Sequence, residues 1–249
     1  MTVIEERHGR VLVIRLDREA KRNAIDRATA EGIDAALNRL DDDQDLWAGV
    51  ITGTEKIFCA GTDLSDKVDL KTERGGEYGI IRRVRDTPLI AAVEGAALGG
   101  GLEIALACDM VVASSTARFG LPEARRGLVA TSGALFRAAR ALPPNVAREL
   151  LVAGRTLDAT RAHQLGLVNE VAEAGRALER AMVLAEDVCL ASPMSARETL
   201  RALRTLTDAE DALGWTATDT AIEAFLASED MKEGISAFFE KRAPQWSGR

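Results

Sequence analysis

Through roughly the first 120 residues, short runs rich in Val, Ile and Ala alternate with segments of helical periodicity, and no other feature constrains the fold as much. Val3–His8 and Val11–Leu16 flank His8-Gly9-Arg10 and read as a β-hairpin. Asp26 precedes Ala30, Ile33, Ala36, Leu37 and Leu40 at helical spacing, so a helix capped by Asp26 is expected, ending in the acidic run 41–45. Residues 48–53 and 57–59 read as buried strands, 77–85 as a helix, 89–95 as a strand, 99–107 as a helix and Met110–Ser114 as a strand. From Ser132 onward the pattern is helical almost throughout, punctuated by Pro143-Pro144, Gly154, Gly166 and Pro193. The expected class is therefore α/β, built of strand-strand-helix units and closed by a C-terminal α-helical region.

Composition narrows the function. Aromatic residues are only 4% of the chain, which disfavours an aromatic-rich sandwich or barrel. The net charge of −7 lacks the clustered positive surface that a nucleic-acid partner needs. Glu94, Glu103, Asp109 and Arg118 interrupt the most apolar stretch, so no membrane span is expected. Residues 1–10 carry Glu5 and Glu6 and have no apolar core, so they do not read as a targeting segment, and the cytoplasm is the expected location. Cys59, Cys108 and Cys189 lie far apart and only His8 and His163 could join them, so neither a metal site nor a disulfide is expected.

Three segments can carry chemistry. In "FCAGTDL" (58–64) an apolar run breaks into Ala60-Gly61, which leaves a sparsely covered amide at Ala60; an ordinary strand-to-loop turn would look the same. In "GAALGGGLEIALACD" (95–109) three glycines precede an apolar helical stretch. Bare N–H groups at a helix start favour negative charge, and the spacing is not the dinucleotide G-x-G-x-x-G. Glu103, in that first turn, is either a carboxylate complementing the helix dipole or an acid–base group. In "FGLPEARRGL" (119–128), Glu123 follows Pro122 and is either a solvated partner of Arg125 or Arg126 or a second acid–base group.

In this order, the three segments resemble the crotonase superfamily, specifically its enoyl-CoA hydratase/isomerase branch. "RNAIDRATAEGIDAALNRL" (22–40), "AHQLGLVNEV" (162–171) and "EGISAFFEKRAPQW" (233–246) are similar to it as well, so the resemblance covers essentially the whole chain. It implies a crotonase-type spiral of strand-strand-helix units over residues 1–190 and a helical trimerisation region over 191–249. It also implies homotrimers or paired trimers, and hydration of the 2,3 double bond of a 2-enoyl-CoA thioester. Carnitinyl-CoA-type dehydratases, isomerases and catalytically idle binding homologues share the fold. The family's oxyanion-hole amides fall on Ala60 and Gly100 and its catalytic glutamates on Glu103 and Glu123. Contacts to coenzyme A and the thioester are implied at Arg22, Ala24, Lys56, Ala60, Gly61, Thr62, Asp63, Leu64, Gly99, Gly100 and Lys241. Asp63 is expected to shape its loop rather than react. Coenzyme A is part of the substrate, and no separate cofactor is implied. Thr131 and Ser132 stand where many members are richer in glycine, in a segment that shapes the acyl pocket.

Overall fold

The computed structural model describes residues 2–66 and 68–249. The chain opens with β1 (Val3–His8) and β2 (Val11–Leu16), an antiparallel hairpin in which Val3 faces Leu16 and His8 faces Val11. Gly9 turns it at φ +59. Helix α1 (Arg27–Asp42) follows. Asp26 Oδ1 accepts the Thr29 amide at 2.9 Å, and Ala30, Ile33, Ala36, Leu37 and Leu40 are buried along one stripe, as the spacing predicts.

Next come β3 (Ala48–Thr52), a small antiparallel pair of β4 (Lys71–Thr72) and β5 (Gly76–Glu77), then β6 (Leu89–Val93), β7 (Ala96–Leu98), α2 (Gly100–Leu106), β8 (Met110–Ser114) and β9 (Arg118–Gly120). The later part holds α3 (Ala134–Ala141), α4 (Pro144–Ala153), β10 (Thr156–Asp158), α5 (Ala159–Gln164), β11 (Glu170–Ala172), α6 (Ala177–Leu190), α7 (Pro193–Leu226) and α8 (Glu229–Glu240).

The strands sort into two main sheets. Six form the order β1-β2-β3-β6-β8-β11, parallel from β2 onward, and three form β10-β9-β7. Strands β6 and β8 lie in the large sheet while their successors β7 and β9 pair in parallel in the small one, so each unit steps from sheet to sheet and the chain spirals. All residues of β3 and β6 are buried because both faces of the large sheet are covered. On one face Ala181 and Ala185 of α6 pack against Val11, Val13, Val50, Ile90 and Val112. On the other, α1 and the small sheet enclose Leu12, Ile14, Phe58, Leu102, Ile104 and Phe119. The boundary expected at 190/191 lies between α6 and α7, and α7 is tied to the rest of the chain through Arg204 and Arg201 on Asp86 and an edge-to-face contact of Trp215 with Phe136.

Three expected elements differ. Residues 77–85 form no helix: Glu77 ends β5 and residues 78–82 are turns, because Gly76 and Gly79 take φ of +64 and +78, Tyr78 takes φ +57, and a helix cannot run through such a backbone. Residues 57–59 form no strand and meet the small sheet by a single bridge, Cys59 to Ala97. The region after Ser132 contains β10 and β11, each three residues long and too short to leave a period; β11 adds the edge strand beside β8. Among the described residues no helix is long and apolar enough to cross a membrane.

Candidate active site

The site forms where the first turn of α2 meets the loop after Cys59. Asn23, fully buried, holds this loop's base: its side-chain amide donates to the carbonyls of Ile57 at 2.9 Å and Phe58 at 3.1 Å. Its Oδ1 accepts from the Arg18 amide at 2.8 Å. The loop then crosses in front of the glycines. A Cβ placed on Gly61, whose φ is +99, would sit 2.9 Å from the Leu98 carbonyl oxygen and 3.1 Å from the Gly100 nitrogen, so only glycine lets the two backbones approach this closely.

The amides of this loop have different partners, and one expectation is corrected. Ala60 N–H donates to the Arg22 carbonyl at 3.0 Å and is therefore not free to receive an oxyanion. Two residues on, Asp63 N–H donates to Ile25 at 2.9 Å, while Thr62 N–H between them has no acceptor among the described residues. Gly100 N–H, at the first position of α2, likewise has none. The open pair is Thr62 and Gly100, not Ala60 and Gly100.

Asp63 behaves as expected. It accepts from the Ser65 hydroxyl at 2.5 Å and the Ser65 amide at 3.0 Å, and pairs with Arg18 at 2.8 Å. The Ser65 hydroxyl and the Arg18 guanidinium hold its carboxyl down at about 2, so it is an ionised loop clasp.

Glu103 and Glu123 are brought to the same glycine turn. Glu103, 2% exposed, points from α2 to the start of α3, where its Oε1 accepts the amides of Ser132 at 2.7 Å and Ala134 at 3.3 Å. Burial, and after it the charge of Glu123, pushes its carboxyl up to about 8. Glu123 opens a single 3-10 turn, Glu123–Arg126, and its Oε1 lies 2.8 Å from where a Cβ on Gly99 would stand. Burial pushes it up to about 7, and its Oε2 is buried without a hydrogen-bond partner among the described residues. Two carboxyls titrating near neutrality beside two open amides can exchange protons with a bound molecule.

A cleft of 360 Å³ leads in from the surface, lined by Lys21, Arg22, Ala24, Ala60, Thr62, Asp63, Leu64 and Ser65 on one side and by Arg126, Phe238 and Phe239 on the other. The last three were not among the expected coenzyme A contacts; they reach the cleft because α8 packs onto the turn of Glu123 so closely that a Cβ on Gly127 would meet the Asp230 backbone. Gly61, Gly99 and Gly100 are buried and do not line the cleft. Lys56 lines no wall of the cleft, since its Nζ is held by Glu19 at 2.6 Å, and neither does Lys241, the left-handed residue closing α8. Tyr78 and Asn23 were also missed. The single tyrosine of the chain, flanked by Gly75, Gly76 and Gly79, was the available signal for the first.

Among the described residues no three His, Cys, Asp or Glu side chains converge as a metal would require. Cys59 is buried, Cys108 and Cys189 are half-buried, and all three are free thiols; burial pushes Cys59 and Cys108 up to about 12, where neither is a nucleophile.

The fold is a spiral that steps between two sheets, and it brings two buried glutamates and two open backbone amides to one turn. The enoyl-CoA hydratase/isomerase family model matches residues 6–249, and the chain belongs to that family. It is similar to a probable enoyl-CoA hydratase of Mycobacterium bovis, 37% identical over 254 residues covering 100% of this chain and 98% of that protein. It is also similar to a mevalonyl-coenzyme A hydratase of Aspergillus fumigatus, 38% identical with 95% and 91% covered. A solved carnitinyl-CoA dehydratase of Mycobacterium avium 104 superposes with a TM-score of 0.94 at 43% identity, covering 100% of this chain and 99% of that one.

Proposed function

We propose that the enzyme adds water across the 2,3 double bond of a 2-enoyl-CoA thioester, and in reverse dehydrates the 3-hydroxyacyl thioester. The observation that carries this reading is the pair of buried glutamates, both raised toward neutrality, converging on one glycine turn. The thioester oxygen takes the developing enolate charge and accepts the N–H groups of Gly100 and Thr62. In a site shielded from water each such donor is worth about 3–4 kcal/mol of transition-state stabilisation. Because neighbouring carboxylates resist double ionisation, Glu103 and Glu123 share one proton near neutral pH. The ionised member removes a proton from water as its oxygen bonds to C3. The protonated member gives its proton to C2 as the enolate collapses, and the proton taken from water restores the pair.

The remainder of the substrate is placed along the cleft. Lys21, Arg22 and Arg126 supply positive charge for the coenzyme A phosphates on an otherwise acidic protein, and Phe238 and Phe239 give its apolar wall. The assembly is proposed as a homotrimer or a dimer of trimers, supported by the exposed Leu203, Leu206, Leu213 and Leu226 along α7.

A second reading, dehydration of a hydroxylated acyl-CoA of the carnitinyl kind, is favoured by the hydroxyls of Thr62, Tyr78 and Ser132 around the glutamates, a polar surround for an acyl group. A panel of 2-enoyl- and 3-hydroxyacyl-CoA thioesters of graded length and polarity, followed by mass, separates the two by which member gains or loses water. If the purified enzyme binds coenzyme A thioesters but leaves every member unchanged, both readings fall and a binding role takes their place.

A further inference from the structure

Tyr78 is an aromatic side chain pressed against the glycine turn by backbone that does not favour it. Its φ is +57, a region that bulky residues seldom enter, and the conformation persists only where surroundings hold it. The ring lies against α2 so closely that a Cβ on Gly100 would stand 2.8 Å from both Cζ and Oη. Its hydroxyl meets the Thr62 hydroxyl at 2.7 Å, and the residue is 7% exposed. Ser132, whose amide holds Glu103, lies near the same phenol. Burial, with Glu103 and Glu123 nearby, pushes the phenol well above its ordinary range, so Oη carries its proton and acts as a hydrogen-bond partner only.

We infer that Tyr78 is a positioning residue: through its hydrogen bond to Thr62 it fixes the loop that carries the Thr62 amide and so sets that donor opposite Gly100. The geometry supports this because Thr62 has anchors on both sides and none on its own amide. Ala60 N–H binds Arg22 and Asp63 N–H binds Ile25, leaving the hydroxyl as the contact that locates Thr62 itself. A side chain held in a strained backbone by two groups of the active site is organised for that contact rather than for local packing.

The inference rests on the hydratase reading, and the experiment separates the two. Tyr78→Phe keeps the ring and removes only the bridging oxygen. With the enoyl-CoA thioester that the enzyme turns over best, Tyr78→Phe and Thr62→Val are each expected to lower kcat by about tenfold or more, with KM within about threefold, as for loss of alignment rather than of binding. The double variant should be no worse than the poorer single one, and Thr62→Ser should recover most of the rate that Thr62→Val loses. Amide hydrogen exchange over residues 58–66, read without substrate, should quicken in Tyr78→Phe and not further in the double variant. Unchanged exchange in Tyr78→Phe overturns the inference whether or not the enzyme hydrates any thioester, and so does additive loss of kcat in an active enzyme. Faster exchange in Tyr78→Phe, should the wild-type protein hydrate nothing, upholds the Tyr78–Thr62 coupling and refutes the hydratase reading instead.

Discussion

Glu123 Oε1 stands 2.8 Å from the place a methyl group on Gly99 would occupy, so the second carboxylate and the first glycine of the triplet are packed as one unit. That contact explains why a carboxyl on a 3-10 turn can serve a helix start from another part of the chain. Gly99→Ala therefore strains a backbone at φ +55 and pushes Glu123 aside. Turnover should fall by about 100-fold, since displacement of a reacting group by an ångström costs on that order. Steady-state kinetics beside a thermal melt checks this; equal loss of folded protein and of activity would count as a packing effect alone.

Glu123→Gln should leave folding and coenzyme A affinity nearly intact while lowering hydration by about 10²–10⁴-fold, the span for losing a general acid or base. Retention of more than about a third of wild-type kcat would remove Glu123 from the mechanism.

The raised carboxyls predict a pH-dependent stability. Below an unfolded-state value of 4.5 both forms of the chain are protonated and Glu103 costs nothing; as pH rises toward about 8 the unfolded chain releases the proton first, and stability is lost through that window. Glu103→Gln keeps an oxygen to accept from Ser132 and Ala134 and has no proton to lose. Its melting temperature should match wild type near pH 4.5 and exceed it by a few degrees above pH 8, in scans run across that range. A constant difference at every pH would show that folding leaves the titration of Glu103 unshifted.

Replacing both Phe238 and Phe239 by Ala should raise KM for acyl-CoA several-fold with a smaller change in kcat, because these rings wall the cleft. An unaltered KM would place the coenzyme elsewhere.

Leu206→Asp with Leu213→Asp puts charge on a face of α7 where these side chains are 78% and 71% exposed in the single chain. Light scattering should report a smaller particle than wild type. A wild-type protein that is already monomeric at micromolar concentration would refute the trimer proposal and leave the two-glutamate chemistry untouched.

Local chemistry was legible from residue order. Asp26 caps α1, Gly9 turns the first hairpin, and the Val- and Ile-rich runs became the large sheet, because each depends on neighbours within a few residues. The failures have a common cause. A helix was expected over 77–85, but Gly76 and Gly79 bend the chain into turns that seat Tyr78 against Gly100. Strands β10 and β11 are too short for any period and exist only because β9 and β8 offer edges to pair with.

Sequence alone determined the α/β class of the fold and singled out the glycine triplet and two candidate glutamates, while the acid–base role of Glu103 and Glu123 was implied by the family resemblance. Which backbone amides remain open was decided by tertiary structure. Ala60 and Thr62 look equivalent in "FCAGTDL", and only the approach of Arg22 and Ile25 from a distant turn consumes the amides of Ala60 and Asp63 while sparing that of Thr62. The walls of the cleft were decided the same way, when α8 folded back on the turn of Glu123 and brought Phe238 and Phe239 to it. A hydrogen bond belongs to two partners, and where they lie far apart in the chain no local pattern records that they will meet.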